Sequence, residues 1–282
     1  MERNQASRTA ERVAERRAVH QLLDHPIVFR DPLAFEVLQP EVAARIRAAP
    51  RDYDRSPIAT PLRAFLAVRS RFAEDSLRTA IERGVSQYGI IGAGFDTFAC
   101  RNPYPDIRVF EIDHPATQAE KKQRLAAARI ELPANVSLIP ADLSVRSLDE
   151  ALASAAFDPQ KPAVFAWLGV IPYLELAAIE TTFRYVASRP AGTEIVFDYG
   201  IPRRSLNFIG RLVFDRMASR VAAIGEPWKT FFTPEELHRL LTDVGFSAVE
   251  DLGANEINAR YFAGRSDRLR VGEAGRIARA VV

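Results

Sequence analysis

The chain has 282 residues, 48% hydrophobic and 26% charged, an ordinary globular balance that excludes disorder along its whole length. Its formal charge of +2, from 38 Lys+Arg against 36 Asp+Glu, is too small for a nucleic-acid groove. A single cysteine, Cys100, excludes a disulfide within the chain, and the longest apolar run, 163–171, falls far short of the roughly 20 residues of a membrane helix.

No apolar stretch precedes Leu22, so the N-terminus does not read as a secretory signal, and a cytoplasmic protein is expected. Val13, Ala14, Val19, Leu22 and Leu23 recur at helical spacing within residues 1–25. His25-Pro26 and Asp31-Pro32 then punctuate a loop. Further helices are predicted over about 40–48 and 61–83, the latter stopped by Gly84. Residues 1–85 thus read as a helical extension that precedes any strand.

From residue 86 the pattern changes. Short apolar runs appear at 87–91, 107–113, 136–139, 163–168 and 194–197. Helical segments at about 116–129, 147–155 and 175–188 separate them. Strands alternating with helices imply βαβ units, and near-continuous apolar strands imply a parallel sheet covered on both faces. The stretch 201–230 looks like an inserted cap. Thr233-Pro234-Glu235-Glu236 opens a helix that ends at Gly245. Two more strands are predicted, at about 246–250 and 275–282. The expected architecture is an α/β, doubly wound, seven-strand, mostly parallel sheet, with residues 86–282 as the core.

Three segments carry candidate chemistry. Gly92-Ala93-Gly94-Phe95-Asp96-Thr97 follows the first strand directly. Glycines there let backbone approach a ligand at the carboxyl ends of the strands; a plain tight turn is the alternative. Asp113 closes the second strand about 20 residues after Gly92, a position where a carboxylate can accept both hydroxyls of a ribose. It could equally cap the next helix, since His114-Pro115 follows. Glu111 lies two residues earlier, on the same face of the strand. Asp142-Leu143 follows the third strand and could meet an adenine, or Asp142 could be another helix cap.

The dinucleotide fingerprint needs a third glycine or alanine, where this chain has Thr97. Asp96 also places negative charge where a pyrophosphate would sit. An adenosine with a cationic, phosphate-free tail fits better, which is the shape of S-adenosylmethionine. A nicotinamide oxidoreductase is the competing reading.

Taken in order, Arg71-Phe72-Ala73-Glu74-Asp75, the Gly92–Thr97 segment, Phe110-Glu111-Ile112-Asp113-His114-Pro115, Asp142-Leu143 and Trp167-Leu168-Gly169-Val170-Ile171-Pro172-Tyr173-Leu174 resemble the leucine carboxyl methyltransferase-like family, in its bacterial branch of S-adenosylmethionine-dependent methyltransferases. The resemblance implies a Rossmann-like class I methyltransferase that uses S-adenosylmethionine and releases S-adenosylhomocysteine. It implies that Gly92 and Gly94 line the methionine moiety, that Asp113 holds the ribose, and that Asp142 and Leu143 flank the adenine. Arg71 matches the family arginine that pairs with the cofactor carboxylate, with Arg69 as a nearby alternative. Where the eukaryotic carboxyl methyltransferases look to have an acidic residue before the glycine of the fourth-strand motif, this chain has Leu168, so a backbone carbonyl or another residue must bind the cofactor's amino end, and a binding protein without catalysis is a third reading.

Tyr173 matches the family and could face the acceptor, or be a core aromatic. His114 and His238 qualify as bases only by residue type. With no evident base, the expected acceptor is an acidic or aromatic small molecule methylated on a carboxyl or hydroxyl oxygen. The N-terminal helices and the 201–230 cap would cover it, the cap offering Arg203, Arg204, Phe208, Phe214 and Trp228. Metal, nucleic-acid and membrane partners are not expected.

Overall fold

The computed structural model describes residues 7–143, 145–223 and 225–282, so residues 1–6 of the N-terminal segment and Ile224 of the cap lie outside the described residues. Seven strands form one sheet: β1 (Gln87–Ile91), β2 (Arg108–Asp113), β3 (Val136–Pro140), β4 (Val164–Trp167), β5 (Glu194–Gly200), β6 (Ala248–Leu252) and β7 (Gly275–Val281). Their order is β3-β2-β1-β4-β5-β7-β6. The first five run parallel, while β7 is antiparallel to both β5 and β6. The order reverses between β1 and β4, which opens a crevice at their carboxyl ends.

The two faces of the sheet bury alternate residues, as a period of two requires. Val164, Ala166 and Val196 face one core with α3 (Ala59–Glu82) and α10 (Ala254–Tyr261). Phe165, Trp167, Ile195 and Phe197 face the other with α6 (Leu148–Ala153), α7 (Leu176–Ala187) and α9 (Pro234–Val244). A third apolar cluster joins α1 (Arg8–Leu23) and α2 (Pro40–Ala48) to Phe95 and to Leu125 of α5 (Pro115–Ala127). That cluster seats α1 above the loop that follows β1; α4 (Phe98–Arg101) continues from this loop.

The helices start and stop where the sequence marks them. Thr233 and Glu236 form a reciprocal cap at the start of α9, and Gly245 ends it at φ 110°. Two features depart from expectation. The sixth strand begins at Ala248 rather than 246, because Phe246 is buried in the core below the turn. Helix α10 was not expected: over eight residues it buries one side chain, Ile257, too short an apolar stripe to register as a period. In the cap, a 3-10 turn (Arg203–Ser205) leads into α8 (Phe208–Ala222). No described side chain of α8 is buried. Among the described residues no helix is long and apolar enough to cross a membrane.

Candidate active site

A cavity of about 450 Å³ opens at the carboxyl ends of β1, β2, β3 and β4. The start of α1 and residues 225–229 form its outer wall. Its floor is the turn after β1. Gly92 and Gly94 sit at φ 70° and 52°, in the left-handed region that side chains disfavour. The N–H groups of Gly92 and Ala93 both donate to the Ile112 carbonyl, at 2.8 and 3.2 Å, which ties the turn to the end of β2. A Cβ on Gly92 would collide with the Val170 side chain, and one on Gly94 would lie 3.1 Å from Ala10 of α1. The turn is therefore a cradle that only glycine leaves open.

Asp113 stands at the lip of this cradle. One carboxylate oxygen accepts the Gly94 N–H, and the other accepts the His114 N–H at 2.6 Å. Burial pushes its pKa up, against the pull of those two N–H groups, Lys121 and His114. The helix-capping alternative fails for this residue, because His114 caps α5 by accepting the Ala116 N–H at Nδ1, 3.2 Å away. Each Asp113 oxygen keeps a lone pair for a further donor. Glu111, by contrast, lies behind the cavity wall. It is fully buried and accepts from Lys121 Nζ at 2.5 Å. Asp142 and Leu143 reach the cavity from the end of β3, with His114 Nε2 4.0 Å from an Asp142 oxygen.

The two arginines separate cleanly. Arg71 is on the outer side of α3, about half exposed, and pairs with Asp75 at 2.7 Å. It does not reach the cavity wall; Arg69 does. The Arg69 guanidinium lies against Gly169, where a Cβ would come within 2.8 Å of it, and it donates to Asp198 at 2.9 Å. The other Asp198 oxygen accepts the Gly169 N–H at 2.5 Å. Arg69 and Asp198 are 7% and 5% exposed, so this is an interior ion pair. Asp198 thus braces the turn after β4 from β5, with both of its oxygens engaged by protein groups. The sequence offers Arg69 as an alternative to Arg71 but gives no sign of Asp198, because the pairing joins residues far apart in the chain.

Beneath the glycine turn lies a charged network. Arg17 pairs with Asp31 at 2.8 Å and donates to the Phe95 carbonyl; Thr97 donates to Asp31 at 2.8 Å; Arg101 pairs with Glu74. Burial alone would raise the Asp96 pKa, but Arg17, Arg101 and Lys121 outweigh it and hold the carboxyl below the usual range. Asp96 lines the cavity as an anion, which disfavours a pyrophosphate there.

On the lid side Tyr173 lines the cavity, so it is not purely a core aromatic. Burial raises its pKa, with Trp228 and Thr9 as hydrogen-bonding neighbours. The cap residues expected to meet an acceptor behave differently. Arg203 makes a two-point pair with Asp215 and Arg204 pairs with Glu236, both at the surface. Phe208 is 84% exposed. Phe214, Trp228 and Phe231 stack on one another behind the wall, at centroid distances of 5.1 to 5.9 Å. His238 pairs with Asp251 away from the cavity. The cap residues that do face the cavity are Gly225, Glu226, Pro227 and Lys229; Glu226 accepts the Thr9 N–H at 3.2 Å and so joins the two outer arms. Nothing in the sequence distinguishes Glu226 from the chain's other acidic residues.

Comparison with known proteins gives the family and the fold. The family model described as leucine carboxyl methyltransferase matches residues 10–187. A Bacillus subtilis protein named "Putative S-adenosyl-L-methionine-dependent methyltransferase YktD" is 30% identical over 297 residues, covering 95% of each chain. A Mycobacteroides abscessus protein with the same name, YktD aside, is 31% identical over 197 residues, covering 68% of this chain and 64% of its own. Among solved structures, a "putative methyltransferase" from Thermobifida fusca superimposes with a TM-score of 0.55 over 95% of this chain and 93% of its own, at 16% identity, a likeness of fold.

Proposed function

The chain belongs to the leucine carboxyl methyltransferase family of S-adenosylmethionine-dependent methyltransferases, and on that premise we propose that it methylates an oxygen, carboxyl or hydroxyl, of a small molecule. The observation that carries this reading is the convergence of four strand ends and Arg69 on one glycine-floored cavity. The residues present fit the cofactor. Gly92 and Gly94 leave a cradle that a Cβ would fill, Asp113 offers acceptors for a ribose, and Asp142 with Leu143 frames an adenine. Arg69, rather than Arg71, takes the cofactor's carboxylate, because its guanidinium lines the cavity and can bond both oxygens.

When bound, S-adenosylmethionine supplies an electrophilic methyl on a sulfonium. The chain's own part is positioning, which is most of what an in-line displacement needs. Asp113 and Arg69 fix the two ends of the donor. Tyr173 keeps its proton, since burial raises its pKa, and so donates a hydrogen bond rather than accepting a proton. Among the described residues, the start of α1 and residues 225–229 cover the cavity and exclude water.

The test is to incubate the protein with methyl-labelled S-adenosylmethionine and the small-molecule fraction of a cell extract. Label recovered as a base-labile ester or a base-stable ether supports oxygen transfer. Label on nitrogen or carbon would refute it.

A further inference from the structure

The charges around the outer half of the cavity restrict what can enter it. The cations near it are already engaged. Arg69 is bound to Asp198 and faces the cofactor's carboxylate end. Arg17 is held under the glycine turn by Asp31 and the Phe95 carbonyl. Lys229 lines the cavity with its ammonium 3.1 Å from the Glu175 carboxylate. The carboxylates of the cavity wall divide in the same way. Glu74 is paired with Arg101, Asp96 lines the cavity at the glycine turn and accepts the Phe98 N–H, and Asp113 and Asp142 stand at the ribose and adenine ends.

Glu226 is left over. It belongs to the outer arm, beside Tyr173, whose ionisation feels its charge. Among the described residues its carboxylate has one partner, the Thr9 N–H, and no cation. A carboxylate acceptor placed here would meet a like charge, and among the described residues the cations of the lining, Arg17, Arg69 and Lys229, are each already paired, which costs affinity. A hydroxyl acceptor meets a hydrogen-bond acceptor and a base.

We propose that Glu226 binds the acceptor hydroxyl and takes its proton, and that the acceptor is an uncharged phenol-type compound rather than a carboxylate. The proposal rests on the oxygen-methylation reading and narrows it. An ordinary carboxylate is a weak base, so it assists an acidic hydroxyl, on an aromatic or enol carbon, far better than an aliphatic one. In the step, the hydroxyl oxygen forms a bond to the methyl carbon, and the carbon–sulfur bond breaks with its electron pair remaining on sulfur. The hydroxyl proton passes to the Glu226 carboxylate and from there to solvent. Sulfonium and neutral phenol become neutral thioether, methyl ether and one proton. Tyr173, still protonated, donates to the same acceptor oxygen and fixes its approach.

The probes are 2-naphthol and 2-naphthoate, matched in shape and different in charge. Ligand-observed NMR on the protein saturated with S-adenosylhomocysteine should show 2-naphthol binding at least tenfold tighter than 2-naphthoate. In Glu226→Gln that preference should disappear while S-adenosylhomocysteine affinity, read by calorimetry, stays unchanged. Labelled-methyl transfer to 2-naphthol should fall on the order of 100-fold in the same variant. Three results would overturn the proposal: tighter binding of the naphthoate, binding of neither probe, or a Glu226→Gln variant that transfers to naphthol at the parent rate. Ester formation on the naphthoate would leave oxygen methylation standing and remove only the hydroxyl assignment. Failure of S-adenosylhomocysteine itself to bind would strike the underlying reading.

Discussion

Arg69 and Arg71 are two residues apart on one helix, so their side chains point about 200° from each other around its axis. One meets Asp198 and the Gly169 backbone; the other meets solvent and Asp75. Sequence likeness could not choose between them, because what separates them is the facing strand. The assignment has a direct consequence. Arg69→Met should weaken S-adenosylhomocysteine at least tenfold but leave 5′-methylthioadenosine, which lacks the amino-acid end, nearly untouched. Arg71→Met should alter neither. Measuring both ligands on each variant separates a lost carboxylate contact from a general loss of stability, which would weaken both. Equal weakening of the two ligands in Arg69→Met would refute the contact.

At the scale of elements, most of the sheet was legible, because buried parallel strands are apolar throughout and the turns between them carry Gly, Asp and Pro. The first five strands and the helix after Thr233 fall where their patterns put them. Helix α10 escaped because eight residues with one buried side chain carry no period. The candidate site divides along the same line. Gly92, Gly94, Asp113, Asp142 and Leu143 sit at strand ends, where position and local sequence coincide. Arg69, Asp198 and Glu226 owe their places to contacts between distant segments, so local sequence says little about them. The reciprocal cap on α9 gives this scale its prediction. Thr233→Ala removes the side-chain acceptor of the Glu236 N–H and should lower unfolding stability by about 1 kcal/mol in denaturant titration. No change would mean that packing of Leu237 and Leu241 alone sets the start of the helix.

For the molecule as a whole, the junction between the N-terminal helices and the core is held by buried charge. Asp24 accepts from Arg63 Nε and Nη2 at 2.7 and 2.9 Å and lies 2.7 Å from His20 Nδ1. Burial alone would raise its pKa, but the Arg63 and His20 contacts bring the carboxyl down to about 2. A carboxyl depressed in the folded state stabilises it above the unfolded value, near pH 4, and loses that contribution as pH falls through about 2. The pair should therefore contribute about 2 kcal/mol at neutral pH. The Tm difference between parent and Asp24→Asn should be constant above about pH 4 and shrink toward pH 2. A pH-independent difference would show that shape, not charge, sets the effect. Since α1 walls the cavity, the same junction also fixes that wall.

The account stands on one cavity that takes S-adenosylmethionine with Asp113 on the ribose. Calorimetric titration of the parent and of Asp113→Ala, with S-adenosylhomocysteine and NADH in parallel, tests this most directly. Micromolar binding of S-adenosylhomocysteine by the parent, none of NADH, and a loss on the order of 2–4 kcal/mol in Asp113→Ala are the predicted results. Binding of NADH alone, or an Asp113→Ala variant that holds S-adenosylhomocysteine as tightly as the parent, would contradict it.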